Sequence, residues 1–394
     1  MPKIEIKNVY KIFGKNPKKI IPLLEKGMTK NEIHHKTGNS VGVNNVSFEV
    51  NESEFFVVMG LSGSGKSTLI RCLNRLIDST SGQILIDGED ILKCNEDKLR
   101  EIRRKKIAMV FQNFALFPHR TICSNVEYGL EIQGFDPKLR KEKAYNALEL
   151  VGLKGYEESM PDELSGGMKQ RVGLARALAT DPEILLMDEA FSALDPLIRK
   201  EMQEELLQLQ SKMHKTIIFI THDLDEALRL GDRIVIMKDG VVEQIGTSED
   251  ILTNPSSEYV KKFVQDVDRT KVITASTIME KSNAIILSKN GPKLATRFMK
   301  DEGISSIYVI DKNRQLKGIV RIDDAIELGK QGVADLESIL LTEVPTTSPD
   351  TAIADLLYVA KDAVYPIAVV DQNNTLLGII KRSTIIAGIA KEEE

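Results

Sequence analysis

The chain of 394 residues has no tryptophan and only three cysteines, Cys72, Cys94 and Cys123. They lack the short paired spacing of a zinc ribbon or a disulfide scaffold, which excludes a cystine-stapled architecture and points to a reducing compartment. No run of about 18 apolar residues occurs, so no transmembrane helix is encoded. The opening MPKIEIKNVYKIFG also lacks the apolar stretch of a secretory leader. An excess of either charge is missing too: 53 Lys and Arg against 58 Asp and Glu leave a net charge of -5. Such a balance offers no basic field for nucleic acid, which is therefore not expected as a partner. What remains is an ordinary soluble composition, 42% hydrophobic and 28% charged. The length suits about two or three domains.

Ile4, Ile6 and Val9 recur on a period near two, the mark of a strand. Residues 15–40 break that pattern with KNPKK, KGMTK and HHKTGNS, a basic and partly helical insertion. Strand signals resume over 46–50 and at Phe55-Phe56-Val57-Val58-Met59, which is apolar enough to be buried on both faces. From 99 to about 180 the pattern reads as mostly helical, with polar loops at 118–124 and 152–163. Further buried strands are expected at 184–187, 217–220 and 234–237. Strands alternating with helices in this way imply a mainly parallel sheet covered by helices.

Past about residue 270 an internal repeat emerges at a shift of 60. Ile307-Tyr308-Val309-Ile310-Asp311 matches Ile367-Ala368-Val369-Val370-Asp371, and Leu316-Lys317-Gly318-Ile319-Val320 matches Leu376-Leu377-Gly378-Ile379-Ile380. Each unit reads as helix, strand, Asp-centred turn, strand, helix, which indicates a tandem duplication.

The chemistry concentrates after the strand at 55–59. Gly60-Leu61-Ser62-Gly63-Ser64-Gly65-Lys66-Ser67-Thr68 fits G-x-x-x-x-G-K-[ST] between an apolar strand and a helix. Glycines there let main-chain N–H groups face phosphate oxygens, and the helix adds its positive end. Lys66 would pair with the β- and γ-phosphates, and the Ser67 hydroxyl would ligate Mg²⁺. A second element, Ile184-Leu185-Leu186-Met187-Asp188-Glu189, ends a buried strand on two carboxylates at the edge where parallel sheets bind ligands. Asp188 would hold Mg²⁺ through water, and Glu189 would polarise an attacking water.

Leu164-Ser165-Gly166-Gly167-Met168-Lys169-Gln170-Arg171, followed by Val172-Gly173-Leu174-Ala175-Arg176-Ala177-Leu178, resembles the signature motif of ATP-binding-cassette ATPases. The resemblance implies that Ser165, Gly166 and Gly167 face the γ-phosphate held by a second copy, in a head-to-tail dimer that sandwiches two ATPs. It implies further that Gln112 in MVFQNFALFPH senses Mg²⁺ and the γ-phosphate beside a transport subunit. Asp195 in Ser192-Ala193-Leu194-Asp195 would cross the dimer interface, and His222 in FITHDLDEA would contact the γ-phosphate. Phe13 matches the aromatic on which adenine stacks, with Tyr10 as the alternative. Two positions depart from the usual pattern: Met168 replaces a Gln of the signature, and Ala190 replaces the Pro after the catalytic Glu. Both departures, with the insertion at 15–40, resemble the ATPase subunit of glycine betaine/proline-type importers.

The repeat resembles a pair of CBS modules. Its ribose-phosphate positions are altered: Arg321 and Lys381 replace the hydroxyl residue, and Thr384 replaces the acid that Asp324 keeps in the first repeat. Simple AMP binding is therefore not expected. Arg321, Lys381 and Arg382 offer charge to a cyclic dinucleotide such as cyclic di-AMP, or to anionic lipid headgroups.

The expected architecture is thus an α/β P-loop NTPase cassette, with a mainly parallel sheet, a helical subdomain and N-terminal antiparallel strands, followed by an α/β CBS pair. The cassette would span 1–266, with the helical subdomain at about 113–180. A linker at 267–276 would precede modules at 277–335 and 336–394, the last with a short acidic tail. Resemblance makes ATP and Mg²⁺ the expected ligands. The expected partners are a second copy and a membrane permease fused to or accompanied by a substrate-binding protein, with the chain peripheral on the cytoplasmic side. An importer for amino acids or polyamines, and a non-transport cassette, are the alternatives.

Overall fold

A computed structural model describes every residue except Met1, Asn113, residues 266–269, Lys271, Ser282, Ser288 and residues 390–394. The expected acidic tail lies outside the described residues, and the expected linker lies partly outside them. The chain divides into two compact units, Met1–Val267 and Asp268–Glu394.

In the first unit, β1 (Ile4–Phe13) and β2 (Ser40–Val50) pair antiparallel. The short helices α1 (Ile21–Glu25) and α2 (Lys30–Thr37) occupy the insertion between them. Buried at every position, β3 (Phe55–Met59) runs through the phosphate loop into α3 (Lys66–Leu73). β4 (Ser81–Ile86) and β5 (Glu89–Asp90) complete a sheet of order β2-β1-β4-β5. Then come α4 (Glu96–Lys105) and β6 (Ile107–Val110). Three helices follow, α5 (Ile122–Ile132), α6 (Pro137–Leu150) and α7 (Gly166–Ala179), and they pack on one another.

β7 (Ile184–Asp188), α8 (Pro196–Met213), β8 (Thr216–Thr221), α9 (Leu224–Leu230) and β9 (Arg233–Lys238) continue the βα alternation. β10 (Val241–Gly246), α10 (Ser248–Thr253) and α11 (Glu258–Val264) close the unit. The main sheet has the order β10-β9-β3-β8-β7-β6 and is parallel except for β10. Its core joins Phe56, Val58, Leu186, Ile218 and Val235 to the α3 residues Leu69, Ile70 and Leu73.

Two local expectations need correction. The span read as mostly helical from 99 to about 180 contains β6, because Ile-Ala-Met-Val is too short for periodicity to separate strand from helix. The polar stretch at 118–124 is not all loop: Thr121 caps α5, its hydroxyl accepting the Ser124 N–H at 3.2 Å, and the helix begins at Ile122.

The second unit is duplicated in space as in sequence. After α12 (Ala275–Ile278), β11 (Ile285–Ile286), α13 (Pro292–Asp301), β12 (Ser306–Ile310), β13 (Leu316–Arg321) and α14 (Ile322–Lys330) form one module. The other comprises β14 (Thr346–Thr347), α15 (Ile353–Asp362), β15 (Ile367–Val370), β16 (Leu376–Ile380) and α16 (Arg382–Ile389). Each has a three-stranded sheet. The Asp-centred turns are alike: Asp311 Oδ1 accepts the N–H groups of Asn313 and Gln315, and Asp371 Oδ1 accepts those of Asn373 and Thr375. The two turns also bond to each other. Leu316 N–H donates to Asn374 O at 2.9 Å, and Leu376 N–H donates to Arg314 O at 3.0 Å. A shared core of Tyr308, Ile310, Leu316, Ile319, Ala368 and Leu376 seals that junction.

Candidate active site

The phosphate loop connects β3 to α3 where parallel neighbours β8 and β9 end beside it. Gly60, Gly63 and Gly65 all have positive φ. At Gly65 (φ +103) a Cβ would lie 2.2 Å from Gly42 O, so the close approach to β2 requires glycine. The turn after β9 buttresses the loop, with Gly240 N–H donating to Ser64 O at 2.9 Å.

Lys66 is buried beneath the loop and donates to Gly60 O at 2.7 Å and Leu61 O at 3.1 Å. An ammonium has three donors and these carbonyls occupy two. Burial pushes the Lys66 pKa down, against the pull of Glu189 and Asp188. The Ser64 hydroxyl is also buried and without a partner. A desolvated cation with a spare donor, an orphan hydroxyl and a glycine-lined turn fit a bound polyphosphate.

Across the crevice, Asp188 ends β7. Its Oδ1 accepts from Ser67 Oγ at 2.9 Å, and its Oδ2 lies 3.6 Å from Arg71. Burial raises its pKa, partly opposed by the Ser67 bond and Arg71. Paired hard oxygens at Ser67 and Asp188 suit Mg²⁺, which is held by few protein ligands together with phosphates.

The following residue, Glu189, adopts φ 46, left-handed for a non-glycine residue at a strand end. Its Oε2 accepts from Gln112 Nε2 at 3.3 Å and lies 3.4 Å from His222 Nδ1. Gln112 also donates to Ser192 Oγ at 3.1 Å. Gln112, Glu189 and His222 therefore meet from three segments, beside the Asp188 that contacts Ser67 of the phosphate loop. Phe13 is 41% exposed, beside Gly42 and Thr68, whereas Tyr10 is 7% exposed and packs in the core of the insertion. Of the two aromatic candidates only Phe13 presents a ring face, and Lys11 Nζ sits 4.8 Å from its centroid.

Ser165 caps α7, its hydroxyl accepting the Met168 N–H at 3.3 Å. Met168 takes part through its main chain, so loss of the usual Gln side chain leaves the cap intact. Asp195 caps α8 by accepting from Leu197 and Ile198. These two caps adjoin, since a Cβ on Gly167 would meet Ile198 at 2.7 Å. Among the described residues no hydrogen bond or ion pair joins Ser165, Gly166, Gly167 or Asp195 to the phosphate loop.

Two contributors have no motif to announce them. Arg71 reaches Asp188 because it lies one helical turn after Ser67. Glu226 is buried and accepts from Thr221 Oγ1, the residue before the histidine, at 2.5 Å and from Gln203 Nε2 at 3.0 Å.

In the second unit the basic residues read as anion binders are already engaged. Arg321 donates to Asp324 at 2.7 and 3.0 Å, Lys381 to Glu280 at 2.7 Å, and Arg382 to the carbonyls of Ala360 and Lys361. Thr384 also donates to Glu280, at 3.2 Å. Glu280, Tyr308, Pro366 and Lys381 line a cleft of about 400 Å³.

Comparison with known proteins agrees with these features. A family model for ABC transporters matches residues 43–192, and one for the CBS domain matches 270–330 and 333–391. The glycine betaine transport ATP-binding protein OpuAA of Bacillus subtilis is 57% identical over all of this chain and 93% of its own length. The glycine betaine/carnitine transport ATP-binding protein GbuA of Listeria monocytogenes is 53% identical over 100% of this chain and 99% of its own. The dimeric structure of a bacterial ABC transporter cassette, MJ0796, superposes with a TM-score of 0.53 at 33% identity, covering 62% of this chain and 98% of that one.

Proposed function

Because this chain belongs to the ATP-binding subunits of the glycine betaine branch of ABC transporters, we propose that it hydrolyses ATP to energise uptake of glycine betaine or a related compatible solute. ATP hydrolysis coupled to transport, with use of ATP and Mg²⁺, follows from that membership. So do dimerisation of the cassette and its work with membrane permease components. Among the described residues no helix is long and apolar enough to cross a membrane. We place the chain peripherally, on the cytoplasmic face of a permease that is fused to or accompanied by a substrate-binding protein.

The observation that carries the reading is Glu189, held between Gln112 and His222 at the edge of the phosphate loop. In our reading Lys66 and the loop N–H groups grip the phosphates, and Phe13 stacks on adenine. Ser67 and Asp188, with Gln112, would hold Mg²⁺, which neutralises charge on the β- and γ-phosphates. Glu189 aligns water for attack on the γ-phosphorus and takes its proton as that bond forms and the bond to the β-γ bridging oxygen breaks. His222 keeps the carboxylate aimed. The second copy supplies Ser165, Gly166 and Gly167 at a helix N-terminus, and Asp195 crosses between the copies.

Reconstitution with the permease in vesicles tests the substrate class. ATP-dependent accumulation of radiolabelled glycine betaine is expected. Accumulation of histidine or putrescine in its place would move the chain to the amino-acid or polyamine importers.

For the paired modules, the reading is a regulatory anion site at the cleft, with cyclic di-AMP as the ligand to test. The Lys381–Glu280 pair supports it, because an anion must displace one carboxylate to reach one ammonium. Calorimetry on the full chain should find cyclic di-AMP binding tightened about fivefold by Glu280→Ala, the scale of one partly exposed charge interaction. Equal affinity in both proteins, or none in either, would remove the dinucleotide from this cleft.

A further inference from the structure

The insertion between β1 and β2 has no part in the chemistry above, yet it touches the phosphate loop. Ile20, Leu24 and Ile33 of the insertion are buried against Tyr10, Ile12 and Val41, which fastens it to both strands. Thr29 and Glu32 form a reciprocal capping box at the start of α2. The Thr29 hydroxyl accepts the Glu32 N–H at 3.3 Å, and the Glu32 carboxylate accepts the Thr29 N–H at 2.7 Å. The Thr29 N–H and the Thr29 hydroxyl, both donating to the Glu32 carboxylate, hold it below the usual carboxylate range. Lys30 is the first residue of the helix so fixed. From there its ammonium donates to Gly63 O at 3.0 Å, within the phosphate loop itself.

We propose that Lys30 is a nucleotide-positioning residue: a second cation of the ATP site, delivered from outside the loop as Lys66 is from beneath it. The proposal rests on the reading that ATP phosphates lie on Gly60–Thr68. One carbonyl occupies one of the three ammonium donors, leaving two donors and the full charge for phosphate oxygens. Lys30 is half-buried, so a phosphate contact here is screened less than one to a fully exposed lysine. Among the described residues no hydrogen bond or ion pair joins Lys30 to Glu189 or His222, so its contribution acts on nucleotide binding and not on the transfer step.

Equilibrium titration of the full chain with fluorescent mant-ATP and mant-ADP in Mg²⁺ tests this. Lys30→Ala should weaken both nucleotides by about five- to tenfold, the scale of one charge-assisted hydrogen bond after discounting for its partial exposure. Lys30→Arg should restore affinity to within about twofold of the original, and Lys36→Ala, at the exposed end of the same helix, should change nothing. The deficit of Lys30→Ala should shrink as salt rises, because the contact is ionic. Unchanged affinity in Lys30→Ala overturns the proposal. So does a loss that is independent of salt and accompanied by a lower melting temperature, which would mark Lys30 as a structural latch only. Lys66→Ala separates the two levels: if it too binds nucleotide normally, the ATP-site reading fails, and not merely the role of Lys30.

Discussion

Replacing Glu189 with Gln is expected to lower ATP turnover by about 10²- to 10⁴-fold while ATP affinity stays within about twofold, the usual span for loss of a general base. An amide of the same shape can still accept from Gln112, whose Nε2 lies 3.3 Å from Glu189 Oε2, and can remain beside His222. It cannot take a proton from water. Lys66 and the loop are untouched, so binding should persist. Phosphate release by the chain with its permease, measured beside mant-ATP titration, reads both quantities. Wild-type turnover in Glu189→Gln would remove the carboxylate from the chemistry. Loss of binding and turnover together would recast it as a structural residue.

The second large effect belongs to Gly65→Ala. Two costs combine there: φ is +103, and a Cβ would sit 2.2 Å from the main-chain oxygen of Gly42. The obstacle is backbone, so no side chain can swing away, and either β2 or the loop must shift. Gly63 is the internal control, because its φ is +79 but nothing lies within 4 Å of the added carbon. Gly63→Ala should therefore show only backbone strain, on the order of 1 kcal/mol. Gly65→Ala should lower the melting temperature by roughly 5–10 °C, given about 2–3 kcal/mol from strain plus clash. Nucleotide affinity should fall by more than about 100-fold, because Lys66 and Ser67 follow directly on the displaced residue. Scanning calorimetry and mant-ATP titration of the two variants give the ranking; equal effects would mean that the approach to Gly42 does not shape the loop.

The site was largely legible in the sequence because its parts are local. A glycine-rich turn, two carboxylates after an apolar strand and a histidine after the next strand each sit at a strand terminus, where spacing along the chain becomes position in the crevice. Phe13 and Tyr10 were not separable that way. Both are aromatic on one strand, and only packing, which buries Tyr10 with Ile33 and Leu24, leaves Phe13 to face outward. β6 stayed hidden for want of length: its four residues are apolar enough for a strand or a helix, and its partner β7 lies far along the chain. Lys30 and Glu280 were illegible for another reason. Nothing near Lys30 in sequence signals Gly63, and nothing near Glu280 signals Lys381, about a hundred residues away. Side-chain contacts between distant segments, to a carbonyl at Gly63 or to a carboxylate at Glu280, have no periodicity, and composition records only that the charges balance.

The reciprocal bonds between the two Asp-centred turns bear on what the duplication is. Leu316 borrows its acceptor from Asn374, and Leu376 borrows its acceptor from Arg314. In each hairpin one main-chain N–H finds its acceptor only in the other module, and the shared core around Tyr308 and Ala368 would be open in either one alone. The second unit is thus a subunit interface drawn into one polypeptide. Because one chain carries both modules, their association is intramolecular and does not depend on protein concentration.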